Sequence, residues 1–102
     1  MTPLLEHSEE VFCDLQVISC HLREFSAEAA SQFLTAARCE FAFIARNPEL
    51  GRLREEFGHK GLRSRPLRSH PTYIVFYFST PERVRVWRVL HGARDLGPIL
   101  GG

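Results

Sequence analysis

The side chains best equipped for chemistry gather in the second half of the chain: Lys60, Arg63, Arg65 and Arg68, then Arg83, Arg85, Arg88, His91 and Arg94. A histidine between arginines suits phosphodiester cleavage, with His91 moving the proton while Arg88 and Arg94 neutralise charge that develops on the phosphate. The same residues admit a structural reading. In His91-Gly92-Ala93-Arg94-Asp95, Gly92 permits a sharp turn and Asp95 accepts hydrogen bonds where a helix starts, so that the segment is a corner. Arg63, Arg65 and Arg68 form the densest basic stretch. It is either a solvated strand that resists edge-to-edge aggregation, or a surface for an acidic partner arm or for nucleic acid. Tyr73 and Tyr77 share a strand parity; exposed they would stack a base, buried they would be core.

Other chemistries lack their residues. There is no Gly-rich phosphate loop, no GxSxG elbow and no HExxH, and the histidines (His7, His21, His59, His70, His91) are too dispersed for a metal site. Neither cofactor nor metal is expected. Cys13, Cys20 and Cys39 make an odd set without a CxxC pair, and read as small buried hydrophobes in a reducing compartment. Cys13 and Cys20, seven apart, would share a helix face.

The elements that must position these groups follow from periodicity. Val11, Phe12, Leu15, Ile18 and Leu22 make the apolar stripe of a helix from Ser8 to Arg23, with Ser8 as N-cap and Glu9-Glu10 in its first turn. A second helix starts near Ser26, carries the stripe Ala30, Phe33, Leu34, Ala37, Phe41 and Ile44, and ends near Arg46 because Asn47 precedes Pro48. Phe43 lies off that stripe, available to a partner or to a second layer of core. Only Glu24 and Phe25 separate the helices, which predicts an antiparallel hairpin. Glu49 to Phe57 has the composition for one more helical turn before the Gly58 and Gly61 loop. Three strands follow: Leu62 to Arg68, whose Pro66 belongs at a sheet edge; Thr72 to Ser79, covered on both faces; and Arg83 to Leu90. Leu4 to His7 is a short additional strand, and Leu96 to Leu100 one closing helical turn. The expected fold is α+β, a helical hairpin on one face of a small antiparallel sheet whose other face is left for function.

With 102 residues, 44% hydrophobic and 25% charged, the chain reads as one domain spanning residues 1–102. Its longest apolar run, Tyr73 to Phe78, is far short of the roughly 18 residues a membrane span needs, and Met1 to His7 lacks a basic flank and cleavage site, so a cytoplasmic location is expected. Residues 1–45 hold two basic groups against seven acids, whereas residues 46–102 hold eleven against five. An acidic half is joined to a basic one, and Lys60 is the one lysine among the cations.

Several segments together resemble a toxin of the RelE/ParE superfamily, on its ParE side. They are Asp14-Leu15 with Ile18, Asn47-Pro48-Glu49-Leu50-Gly51-Arg52, Gly61-Leu62-Arg63-Ser64, Tyr73-Ile74-Val75-Phe76-Tyr77 and Val89-Leu90-His91-Gly92-Ala93-Arg94-Asp95, in family order over about nine tenths of the chain. The resemblance implies a β-α-α-β-β-β fold with a short C-terminal helix, the first strand beside the last and the proline-bearing strand at the opposite edge. It implies the toxin of a type II toxin-antitoxin system, causing growth arrest by binding DNA gyrase and neutralised by a ParD-like antitoxin in a hetero-oligomer. Plasmid stabilisation belongs to the same picture, and operator DNA would be met only through the antitoxin. Arg63, Arg65, Arg88, His91 and Arg94 are the residues expected to bind target or antitoxin, with Leu96 to Leu100 as a contact element. The helical hairpin would offer an apolar groove to an amphipathic antitoxin helix. The competing reading is a RelE-like ribosome-dependent mRNA endoribonuclease, for which His91, Arg88, Arg94 and Arg63 would be catalytic and Tyr73 would join them.

Overall fold

A computed structural model describes residues 3–100; Met1, Thr2, Gly101 and Gly102, which the single-domain and leader readings include, lie outside the described residues. Ser8 and Ser26 open the two long helices as expected. Their hydroxyls accept from the Val11 and Ala29 N–H groups at 3.1 and 2.9 Å, fixing the starts of α1 (Glu9–Arg23) and α2 (Ala27–Arg46). At the far end of α2 the Asn47 side-chain amide donates to the Phe43 carbonyl at 3.0 Å, and Pro48 then turns the chain. No helix among the described residues is long and apolar enough to cross a membrane.

The helical stripes bury Val11 and Ile18 of α1 and Ala30, Phe33, Ala37, Phe41 and Ile44 of α2. Two expectations fail at their margins. Phe12 is 58% exposed, and Cys13, Cys20 and Cys39 all face outward instead of into the core. At about 100° per residue, Cys13 and Cys20 fall opposite the Val11, Leu15 and Ile18 stripe, and Cys39 opposite Phe33, Ala37 and Phe41.

The sheet has five strands, β1 (Leu4–His7), β2 (Arg52–Leu53), β3 (Arg63–Pro66), β4 (Tyr73–Ser79) and β5 (Arg83–His91), in the order β1-β5-β4-β3-β2. It is mixed, which corrects the all-antiparallel expectation: β1 runs parallel to β5, Leu4 opposite Arg83 and His7 opposite Val86. The edge beyond β3 is also occupied. The stretch expected to add a helical turn instead makes two single 3-10 turns, Pro48–Leu50 and Glu55–Phe57, with β2 between them pairing Ser64 and Arg63. Pro66 lies past the end of that pairing, so the edge is β2 while the proline still blocks no ladder bond. Gly58 and Gly61 take the left-handed conformation (φ +87° and +80°) that lets the intervening loop turn back.

In β5, Arg88 stands opposite Phe76 but Val86 opposite Tyr77, which leaves Trp87 as an inserted bulge residue. The insertion changes the strand's parity. Val84, Val86 and Val89 can therefore all join the helix-side core with Tyr73, Val75 and Tyr77. On the other face Leu62, Phe76, Leu90 and Leu100 form a second core, with Phe57, Ile74, Phe78, Trp87 and Leu96 against it. The closing helix α3 (Leu96–Leu100) thus covers part of the face that the sequence left open.

Candidate functional site

Arg88 and Asp14 meet where α1 passes the edge of β5. The Arg88 Nε and Nη2 groups donate to both Asp14 carboxylate oxygens at 2.7 Å, and the Val89 N–H adds a third bond at 3.0 Å. Hydrogen bonding to Asp14 raises the already high Arg88 pKa, so the guanidinium stays charged. Ser8 completes this edge by donating its hydroxyl to the Trp87 carbonyl at 2.6 Å, taking an acceptor that the bulge frees.

The residues after Arg88 form a corner. The His91 N–H donates to Asp95 Oδ2 at 3.0 Å, the Arg94 N–H donates to His91 Nδ1 at 3.2 Å, and Arg94 Nε donates to Asp95 Oδ1 at 3.0 Å. Arg94 is the main reason the Asp95 carboxyl lies below the usual range, and the His91 N–H adds to it. With Nδ1 accepting, the assigned tautomer of His91 carries its proton on Nε2. Gly92 has an ordinary backbone conformation, contrary to the expectation that freedom to turn explains it. Space does: its N–H bonds to the Thr72 carbonyl at 2.8 Å, and a Cβ there would stand 2.9 Å from Ile74 Cδ1.

A second group of arginines lies toward the opposite end of the sheet. Arg63 Nη1 donates to the Gly51 carbonyl at 2.7 Å and to the Glu49 carbonyl at 3.3 Å. Tyr77, fully buried, donates to the Pro48 carbonyl at 2.7 Å and accepts from the Gly51 N–H at 2.9 Å. Burial pushes its phenol pKa up. The Pro48-Glu49-Leu50-Gly51 segment is therefore clamped from above by a guanidinium and from within by a phenol. Arg65 bonds the buried Glu40 of α2 at 2.8 Å, and both Arg65 and Arg68 lie over the Phe43 ring, 4.9 and 4.2 Å from its centre.

Of the residues singled out from sequence, Arg88, His91 and Arg94 come together and Arg63 and Arg65 do not join them. Arg63 is opposite Tyr77 and His91 opposite Tyr73, so four residues of β4, roughly 13 Å, separate the two groups. Tyr73 and Tyr77 are core, Tyr73 meeting the His91 ring edge-on. Sequence reasoning overlooked Asp14 and Glu40 as partners. Each stands among buried stripe positions, Asp14 between Val11 and Ile18 and Glu40 beside Phe41, where a carboxylate requires a cation.

Concave surfaces lie beside these groups and on the hairpin; one of about 280 Å³ is lined by Glu40, Phe43, Arg46 and Arg68. A cleft of about 210 Å³ between α1, β5 and α3 brings Arg94 and Asp95 beside Val17 and Ile99. On the hairpin, a mostly apolar groove of about 310 Å³ is lined by His7, Phe12, Leu15, Leu34 and Phe41, with Arg38 at its side. His7 stacks between Phe12 and Phe41, centroids 5.6 and 5.4 Å away, and burial lowers its pKa. Among the described residues no three His, Cys, Asp or Glu side chains converge as a metal site.

The solved chain of a "Chromosomal ParDE TA system from P. aeruginosa" superposes with a TM-score of 0.73, covering 88% of this chain and 96% of that one at 14% identity. No curated protein matches the sequence. The family model "ParE toxin of type II toxin-antitoxin system, parDE" matches residues 5–96, and the chain belongs to that family.

Proposed function

We propose that this protein is the toxin of a type II pair that acts in the cytoplasm by binding DNA gyrase rather than by cleaving RNA. The observation that carries this reading is how its cations are used. A ribonuclease needs several free cationic groups and a proton-transfer residue converging on one phosphodiester. Here Arg63 is committed to backbone carbonyls, Arg65 to Glu40 and Arg88 to Asp14, which leaves Arg94, paired with Asp95 at the surface, as the exposed cation of its group, and the two groups lie apart. That arrangement suits a rigid binding surface. Arg94 and Ile99, both exposed at the cleft beside α3, are its proposed target contacts, with His91 holding the corner that presents them.

The cognate antitoxin is proposed to be ParD-like and to lay an amphipathic helix in the hairpin groove of Phe12, Leu15, Leu34 and Phe41. Such a helix would cover the exposed Phe12 and leave Arg94 to a separate arm. The test adds purified protein, with and without Arg94→Glu, to gyrase and relaxed plasmid and follows supercoiling and cleaved DNA on a gel. Inhibition by the wild type with loss in the variant is expected. Gyrase unaffected at large excess would overturn the reading and favour mRNA cleavage on programmed ribosomes, with His91→Ala as control.

A further inference from the structure

The basic flank of α2 takes no part in the Arg94 corner or in the hairpin groove. A pocket of about 280 Å³ opens there between the second half of the helix and the turn after β3, lined by Cys39, Glu40, Phe43, Arg46, Arg68 and Ser69. Glu40 is its buried acceptor. The side chain is 3% exposed, and its two oxygens are used differently: Oε2 accepts from Arg65 Nε at 2.8 Å, whereas Oε1 accepts no hydrogen bond, the Arg68 Nε group standing 4.0 Å away. No buried side-chain oxygen or nitrogen among the described residues is shut in without a partner, so Oε1 opens on the pocket that Glu40 lines. A carboxylate oxygen can only accept, and one left over inside a pocket calls for an N–H or O–H from a ligand.

The rim sets the charge of that ligand. Arg65 is engaged by Glu40, but Arg46, exposed in the last turn of α2, has no carboxylate within ion-pair distance among the described residues, and the Arg68 side chain is 65% exposed. The lining thus carries two guanidiniums against one carboxylate, which repels a cationic donor and selects a neutral N–H joined to an anion. The Arg68 guanidinium lies over the Phe43 ring, 4.2 Å from its centre, and the two form a planar layer suited to an aromatic base. Six residues of helix separate Glu40 from Arg46, a rise of about 9 Å, so donor and anion belong at opposite ends of the ligand. The base edge and the phosphate of a nucleotide are placed in that way.

We infer that this pocket is a guanine nucleotide site, in which the N–H edge of the base donates to Glu40, the ring lies on the layer of Arg68 and Phe43, and the phosphate takes the fork of Arg46. Guanine is selected because its edge sets two donors side by side. Adenine sets a ring acceptor beside its amino group, and that acceptor would meet the Glu40 lone pairs. Arginines replace a Gly-rich loop as the phosphate holder, so no loop motif marks the site in the sequence. Ala36, Cys39, Glu40 and Phe43 are each two positions on from Leu34, Ala37, Arg38 and Phe41 of the groove, about 200° around the helix. The site is therefore separate from the proposed antitoxin seat, and it stands whether or not gyrase is the target.

The experiment titrates the full chain by calorimetry with GMP, AMP and inorganic phosphate, and maps alkylation of its thiols by N-ethylmaleimide. AMP and phosphate should each bind about tenfold more weakly than GMP, or worse. Cys39 lines the pocket while Cys13 and Cys20 lie on α1, so GMP at about ten times its dissociation constant should slow modification of Cys39 about tenfold and leave the other two unchanged. Arg46→Ala, an exposed change with an unaltered circular dichroism melt, should weaken GMP about tenfold. Glu40→Gln should erase the preference for GMP over AMP; if that variant fails to fold, Arg46→Ala and the base preference of the wild type still decide. GMP and AMP bound alike, Cys39 protected equally by phosphate, or affinity for GMP unchanged in Arg46→Ala would overturn the inference. No binding of GMP would overturn it as well, and protection of Cys39 by an Asp- and Glu-rich peptide in its place would give these arginines to a protein partner.

Discussion

Asp14 and Arg88 lie 74 positions apart in sequence and form a two-pronged ion pair at 2.7 Å whose carboxylate also accepts the Val89 N–H. One short side chain thus ties the first helix to the last strand. Asp14→Ala leaves a half-buried guanidinium and a strand N–H without their acceptor, and should lower stability by about 2–4 kcal/mol in urea titration. Asp14→Asn keeps an acceptor for Val89 and should cost less. Equal losses would mean that the charge is irrelevant.

Arg63 and Arg94 were equivalent as sequence candidates and should part in the melting experiment. Arg94 is exposed, and its pair with Asp95 is worth little in water, so Arg94→Glu should shift the melting temperature by no more than a few degrees. Arg63 holds two carbonyls of the Pro48–Gly51 turn, and Arg63→Ala should cost about 1–3 kcal/mol. Toxicity lost with Arg63 is then informative only after correction for folded protein.

Gly51 is irreplaceable because of Tyr77. A Cβ at that position would overlap the phenol oxygen and come within 2.7 Å of the ring carbon that bears it. Gly51→Ala should destabilise by about 1–3 kcal/mol. The double change with Tyr77→Leu should cost clearly less than the two single changes together, as a double-mutant cycle would read. Strict additivity would place the strain elsewhere.

An antitoxin helix seated in the hairpin groove, as proposed, would bind with a pH dependence set by His7. Burial holds its imidazole below the ordinary value of about 6.5, so the neutral form is favoured in the folded state. The contribution is fully present above that value and is lost as the pH falls through the lowered one. A helix seated in the groove would bury His7 further. Affinity measured by calorimetry should drop several-fold between pH 7.5 and 5.5, and His7→Phe should flatten the profile; an unchanged slope in the variant would remove His7 from the seat.

Helix starts and stops were legible because caps are local: Ser8, Ser26 and Asn47 each act within four residues of themselves. The corner was legible for the same reason, Asp95 reaching only to His91 and Arg94. What escaped depends on distant residues. Two-residue β2 has no periodicity to read, and the bulge at Trp87 exists only relative to β4. The arginines looked free because Glu40 is 25 positions from Arg65, and Asp14 lies in the other half of the chain from Arg88. The acidic and basic halves are therefore bound to each other at these pairs, and the sequence asymmetry is partly neutralised on folding. The cysteines were misplaced by residue type, although the positions of Cys13 and Cys20 relative to Val11 and Ile18, and of Cys39 relative to Phe33 and Ala37, already pointed them outward.

The parallel pairing of β1 with β5 also has a meaning in time. A ribosome adding about 5–20 residues per second makes Leu4 to His7 roughly four to sixteen seconds before their partners Arg83 to Val86. Until then the first strand has no neighbour, Asp14 has no Arg88, and the corner that carries Arg94 does not exist. The fold therefore closes only once β5 and the corner after it have been made, and a growing chain that stalls before them has neither the clasp nor the surface that they build.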